Sequence, residues 1–256
     1  MTFCLGIKVA GGLVAIADTR VVTGNETTSA RKLAVYDVEG RSVFLMTSGL
    51  RSVRDKAVTY FEGSLAKNGA HFEHLFEVAN AYAQHLRQVA EEDREALEAS
   101  GLNFNLHTLM GGQMAGDGEH KLFLIYPQGN WVEVTEGTPF YIIGAASYGK
   151  PVLDRTLTYN DSLRFALKVG CVAFDSTRIN AADVGFPLDV AVYDQGSGRL
   201  HQHRFEEPDL EEITKGWRDQ LRNAVDTLPS AWLHDFFGQI DDTNRQDAIR
   251  ALRPPG

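Results

Sequence analysis

Residues 2–20, TFCLGIKVAGGLVAIADTR, hold two short apolar runs, 3–9 and 13–17, on either side of Ala10-Gly11-Gly12. A glycine pair between two runs of this kind is a hairpin signal. The first run begins directly after Met1 and Thr2, with no polar lead-in. Chain ends are ordinarily frayed and tolerant. A strand placed this early either simply starts early or keeps the terminus itself in position for work. Further on, residues 32–38 and 42–47 form a second hairpin across Glu39-Gly40, while the polar stretch 23–29 reads as a loop or wide turn. The first 48 residues therefore predict a four-stranded antiparallel unit.

The totals narrow the field. The chain has 256 residues, 43% apolar and 23% charged, the composition of a soluble globular protein. A formal charge of -9 argues against general binding of nucleic acid or anionic membrane, which both need a cationic surface. Cys4 and Cys171 sit in apolar runs and match neither a disulfide framework nor a zinc pattern, so both read as buried core. No apolar run approaches the roughly 20 residues that span a bilayer. The N-terminus has no basic region followed by an apolar stretch and a cleavage site. A cytoplasmic location is the expectation.

Beyond residue 48 the period changes. Residues 52–64 and 70–99 carry apolar positions at helical spacing, with Phe72, Leu75, Phe76, Val78, Ala79 and Tyr82 on one face. Strands return at 103–113, 121–126, 131–134 and 140–144. Helical patterns resume at 150–157 and 161–176, and a last hairpin joins 188–194 to 200–205. A further helix is expected over 206–226, then a partly helical, loosely ordered end. The order is strands, two helices, strands, two helices, strands. It predicts an α+β fold of four layers, αββα, in which two antiparallel sheets pack between helical layers. No linker interrupts it, so residues 1–256 read as one domain, with 207–256 a C-terminal helical extension.

Several chemical candidates are weak. His71 and His74 would share a helix face, but no third ligand joins them. His201 and His203 share one face of a strand and read as surface residues. The charged run 91–95 reads as a solvated helix face. Gly144-Ala145-Ala146-Ser147 lacks the spacing of a nucleophile elbow. No metal or organic cofactor is expected.

Thr2 is stronger. Removal of Met1 would leave a hydroxyl and a free α-amine on one residue. An α-amine has a pKa near 8, roughly 2 units below a lysine. It can serve as the base that takes the hydroxyl proton during attack on a carbonyl. Such chemistry also wants a buried cation and a carboxylate to orient it. Asp18 closes the second apolar run and Lys32 opens the third, although either could be an ordinary strand-end residue.

The stretch 2–20 together with RKLAVYD (31–37) resembles the opening of a proteasome β-subunit. The likeness continues through LMTSGL (45–50) and the segment 106–131. YIIGAASYGKPVLDR (141–155) and GCVAFDSTRINAADVGFPLDVAVYD (170–194) are similar to one bacterial branch of that family, Anbu, the ancestral β-subunit. The resemblance covers residues 2–205. It implies an N-terminal-nucleophile (Ntn) hydrolase fold and a threonine-type peptidase. Thr2 would be the nucleophile, Lys32 would lower its pKa, and Asp18 would orient Lys32. Arg20 would support Asp18, and Gly49 N–H would donate to the oxyanion. Thr19, Val22, Thr47 and Ser48 would clamp an extended peptide by strand addition. The family's Gly-Ser-Gly turn, which holds the terminal amine, is here Gly144-Ala145-Ala146. Ser147 is offset from it, and Asp183 stands in the segment RINAADVG (178–185) where the family has Asp and Ser.

The resemblance also implies assembly with copies of itself, as a ring or an open spiral, and an unfoldase partner that the sequence does not identify. Two alternatives stay open. One is an amidase of the same fold acting on a small amide. The other is a catalytically silent scaffold or binding subunit that retains Met1.

Overall fold

The hairpin of β1 (Phe3–Val9) and β2 (Gly12–Asp18) is buried at every position of both strands. That burial explains why these strands read as continuous apolar runs and not as an alternation: both of their faces are covered. A computed structural model describes residues 2–24, 26–68, 71–234, 236–238 and 240. Met1 and residues 241–256, on which the expectations about terminal processing and a loose C-terminal end fall, lie outside the described residues.

Two antiparallel five-stranded sheets stack face to face. The first has the order β10-β1-β2-β11-β12, with β10 at Phe140–Gly144, β11 at Leu188–Asp194 and β12 at Arg199–Phe205. The second has the order β5-β6-β7-β8-β9, with β5 at Leu33–Val38, β6 at Arg41–Gly49, β7 at Leu106–Gly112, β8 at Lys121–Ile125 and β9 at Trp131–Glu133. Between the sheets lies an apolar layer that includes Cys4, Leu13, Ala15, Phe44, Met46, Leu109 and Leu122.

Helices α1 (Arg51–Asn68) and α2 (Leu75–Ala99) cover the outer face of the second sheet through Val53, Phe61, Leu75, Tyr82 and Leu86. Helices α3 (Lys150–Thr156) and α4 (Leu163–Arg178) cover the first. Gly170 lets α4 sit close, since a Cβ there would meet Ile16 Cδ1 at 2.4 Å. The expected four-layer αββα class is therefore the observed one. Among the described residues no helix is long and apolar enough to cross a membrane.

Three expectations about the first hundred residues need correction. The first two hairpins do not form one four-stranded unit. β1 and β2 are flanked by β10 and β11, while β6 pairs with β7, so the hairpins belong to different sheets. Their apolar faces meet face to face, which buries more surface than joining edges would. Residues 23–29 are not simply a loop: Arg20–Thr23 (β3) and Glu26–Ser29 (β4) pair as a small separate hairpin whose second strand is exposed. His71 and His74 do not share a helix face, because α2 starts only at Leu75. Its first turn is tied down by carboxylates, with Glu77 accepting from the amides of Glu73 and His74, and Asp117 from that of Leu75.

The chain divides into two compact units, residues 1–212 and 213–256. A 3-10 turn, Glu207–Leu210, precedes α5 (Glu211–Asp226) where one long helix was expected. Pro208, which has no N–H, sits in that turn. The second unit presents Leu221, Val225, Leu228 and Trp232 as exposed side chains.

Candidate active site

Thr2 stands at the start of β1 and is held by hydrogen bonds on both sides. Its carbonyl accepts the Ala145 N–H at 2.7 Å. The following amide, Phe3 N–H, donates to Asp18 Oδ1 at 2.8 Å. Gly144 permits the approach: its φ is 92°, and a Cβ there would lie 1.9 Å from the Thr2 carbonyl oxygen. Gly144-Ala145 thus seats Thr2 with backbone groups alone.

Asp18 is the last residue of β2 and is fully buried. Lys32, 7% exposed, precedes β5 and reaches across to it. Lys32 Nζ donates to Asp18 Oδ1 at 2.7 Å and to the Arg20 carbonyl at 2.7 Å. The Gly185 amide approaches Asp18 Oδ2 at 3.4 Å. Burial pushes the Asp18 carboxyl above the ordinary aspartate value. The Lys32 ammonium and the Phe3 and Gly185 amides oppose that push. One carboxylate therefore joins the Thr2 strand, the lysine and the segment before β11.

A cleft of about 400 Å³ opens at this point, and Thr2, Lys32, Gly49 and Gly144 all line it. Gly49 ends β6 with φ 149°, where a Cβ would fall 2.1 Å from the Asn105 carbonyl oxygen. That carbonyl accepts the Leu50 N–H at 2.9 Å and fixes the turn. Of the residues expected to hold substrate, Val22, Thr47 and Ser48 line the cleft, as does Arg20. Thr19 does not: it is buried, and both its hydroxyl and its amide donate to the Pro187 carbonyl, at 2.7 and 3.1 Å. Arg20 Nη1 donates to the Ala182 carbonyl at 3.2 Å, so the guanidinium braces the segment beside Asp183 while the Arg20 carbonyl meets Lys32. Ser147 is exposed in the turn before α3, and neither Ser147 nor Asp183 is in the cleft lining.

Sequence reasoning missed Arg51, Arg54 and Asn105 in the lining. Asn105 carries no motif. The two arginines open α1, a helix with no acidic residue in its first turn, and that pattern was readable.

The other candidates lie elsewhere. Cys4 is buried with Sγ 3.7 Å from the Thr47 carbonyl, and burial pushes its thiol far up, so it stays protonated. His71 Nδ1 meets Glu39 at 3.0 Å and His74 Nδ1 meets Asp117 at 3.2 Å, two separate pairings. His201 and His203 are exposed on β12.

Comparison with known proteins adds the family. The family model described as Proteasome subunit matches residues 2–192. Anbu (ancestral beta-subunit) from Yersinia bercovieri is similar at 31% identity and a TM-score of 0.80, over 89% of this chain and 97% of that one. The helical assembly of the Anbu complex from Pseudomonas aeruginosa gives 30% and 0.82, over 89% and 97%. A Gly-1 mutant of Anbu from Hyphomicrobium sp. strain MC1 gives 27% and 0.81, over 90% and 98%. No curated protein matches the chain. The seating of Thr2, the buried Asp18–Lys32 pair and a family match over most of the sequence lead to one assignment: the chain belongs to the proteasome subunit family.

Proposed function

We propose that this chain is a threonine-type peptidase subunit with Thr2 as its N-terminal nucleophile once Met1 has been removed. The observation that carries this reading is the buried Asp18–Lys32 pair opening onto the same cleft as Thr2. A buried ammonium next to the nucleophile favours the alkoxide-like form of the hydroxyl as it attacks.

In the proposed reaction the Thr2 hydroxyl oxygen bonds to the carbonyl carbon of an extended peptide. Its proton passes to the Thr2 α-amine. The carbonyl oxygen becomes an oxyanion facing the Gly49 N–H. Collapse breaks the C–N bond, and the amine returns the proton to the leaving nitrogen. Water then attacks the ester left on Thr2 by the same route and frees the acid. Asp18 keeps Lys32 in place and takes no part in proton transfer. Val22, Thr47 and Ser48 border the path of the peptide.

Self-association belongs to the same reading. One similar structure is described as a helical assembly of the Anbu complex. An assembly of copies of this chain would confine substrate near Thr2.

Intact mass and one substitution test the proposal. The purified chain is expected to lack Met1 and to hydrolyse amide-linked fluorogenic peptides. Thr2→Ala is expected to lower kcat/KM by at least about a thousandfold. A chain that keeps Met1, or a Thr2→Ala variant with undiminished hydrolysis, contradicts the assignment and favours a silent subunit or another nucleophile.

A further inference from the structure

The cleft beside Thr2 is charged in one sense. Arg20, Lys32, Arg51 and Arg54 line it, and no acidic side chain is among its described lining residues. Lys32 is neutralised by Asp18. Arg51 and Arg54 are not neutralised one for one, because they share a single carboxylate. Arg51 Nε lies 3.4 Å from Asp55 Oδ2, and Arg54 Nε donates to Asp55 Oδ1 at 2.8 Å. Arg54 Nη1 donates to the Arg31 carbonyl at 3.1 Å, which fixes the direction of its guanidinium. Its side chain is 20% exposed, against 69% for Arg51. One arginine is therefore anchored in the wall and the other stands exposed at the rim.

Their position on α1 is costly for the helix. The N-terminal turn carries the positive end of the helix dipole and its unpaired N–H groups, so cations there are disfavoured. Helices usually begin with acidic residues, yet the first turn of this 18-residue helix has two arginines and no acid. A local rule broken beside a candidate nucleophile points to function. An anion in the cleft relieves the repulsion.

We propose that the cleft selects a peptide whose side chain next to the attacked carbonyl is acidic, Glu or Asp, with Arg51 and Arg54 binding its carboxylate. The inference rests on the reading of Thr2 as nucleophile, and it adds the substrate class. The cleft is small, about 400 Å³, and holds both Thr2 and the arginines. The residue presented to Thr2 is thus the one whose side chain reaches them. Arginine binds carboxylates through charge-assisted, often bidentate hydrogen bonds. A lysine or arginine side chain in the same place meets like charge and is excluded.

Isothermal titration of the Thr2→Ala variant tests the selectivity without turnover. The probes are N-acetylated, C-terminally amidated pentapeptides that differ only in Glu, Gln or Lys at the central position. A fourth is neutral in its side chains and carries a free C-terminal carboxylate. The Glu peptide is expected to bind about tenfold more tightly than the Gln peptide. That contrast is expected to shrink with added salt, and to fall most of the way to unity when Arg51→Gln is added. Equal Glu and Gln affinities, tighter Lys binding, preference for the free-acid peptide, no binding by any peptide, or an unchanged contrast in the Arg51→Gln background would each overturn the proposal. Turnover by the native chain separates it from the reading beneath it. Hydrolysis of Glu and Gln peptides at equal kcat/KM removes the acidic pocket and leaves the peptidase. Selective binding of the Glu peptide with no hydrolysis removes the peptidase and leaves the pocket.

Discussion

At Gly144 a single missing methyl group decides where Thr2 sits. The Thr2 carbonyl packs against the Gly144 Cα, in the space a Cβ would fill at 1.9 Å. Gly144→Ala must therefore push Thr2 away from Asp18 and Lys32 or distort β10. A displacement of about 1 Å in a reacting group can cost about a hundredfold in rate. On the threonine reading, Gly144→Ala is expected to lower kcat/KM by about that factor. The strained backbone is expected to cost only about 1–3 kcal/mol of global stability. Parallel kinetics and urea denaturation check the pair of numbers, and unchanged kcat/KM would mean that the Thr2 seat does not govern the chemistry. The same glycine bears on the missing serine of the family turn. The backbone of Gly144-Ala145 holds the Thr2 carbonyl, so that serine's hydroxyl is not needed for this part of the seat.

Among the elements, the turn from β7 into β8 carries a titratable group at its end. His120 is 1% exposed, and its Nε2 donates to the Val9 carbonyl at 2.8 Å. Its Nδ1 is buried without a partner among the described residues. Lys8 and Lys121 lie near it, and both pair with Glu119 and Glu133. Charging the ring would create a donor at Nδ1 with no acceptor, beside two cations. Burial accordingly holds the His120 pKa below its ordinary value. The unfolded chain binds the proton at about pH 6.5 and the folded chain does not. Stability is therefore intact above about pH 6.5 and is lost as pH falls from there toward the depressed folded value, by up to about 1.4 kcal/mol per pH unit for one proton. His120→Gln is expected to flatten this slope. Urea midpoints measured across the acid range check it, and a variant with the wild-type slope would exclude His120 as the cause.

For the whole molecule, the stacking of two sheets between helical layers leaves the cleft at the ends of strands β1, β2 and β6, beside the start of α1. The family assignment and the similar helical assembly lead to an expectation of size. The native chain is expected to run at a multiple of its 28.3 kDa subunit mass, read by light scattering coupled to size exclusion. A species of subunit mass at working concentration would separate this chain from the assembling behaviour named for its relative.

What the sequence determined by itself was local and periodic. The succession of strands and helices along the chain and the hairpin at Ala10-Gly11-Gly12 follow from apolar period and glycine placement, and these depend only on neighbours in the chain. Thr2, Asp18 and Lys32 were legible as candidates because each stands at the edge of an apolar run, but their roles came from the family resemblance. Tertiary structure decided what joins distant segments. It sent the first two hairpins into different sheets, because their buried faces gain more by stacking than by sharing an edge. It turned Thr19 inward to the Pro187 carbonyl, set Ala145 under Thr2 and brought Arg51, Arg54 and Asn105 to the cleft. Hydrogen bonds and contacts between residues far apart in the chain leave no period in the sequence, so only the folded chain reveals them.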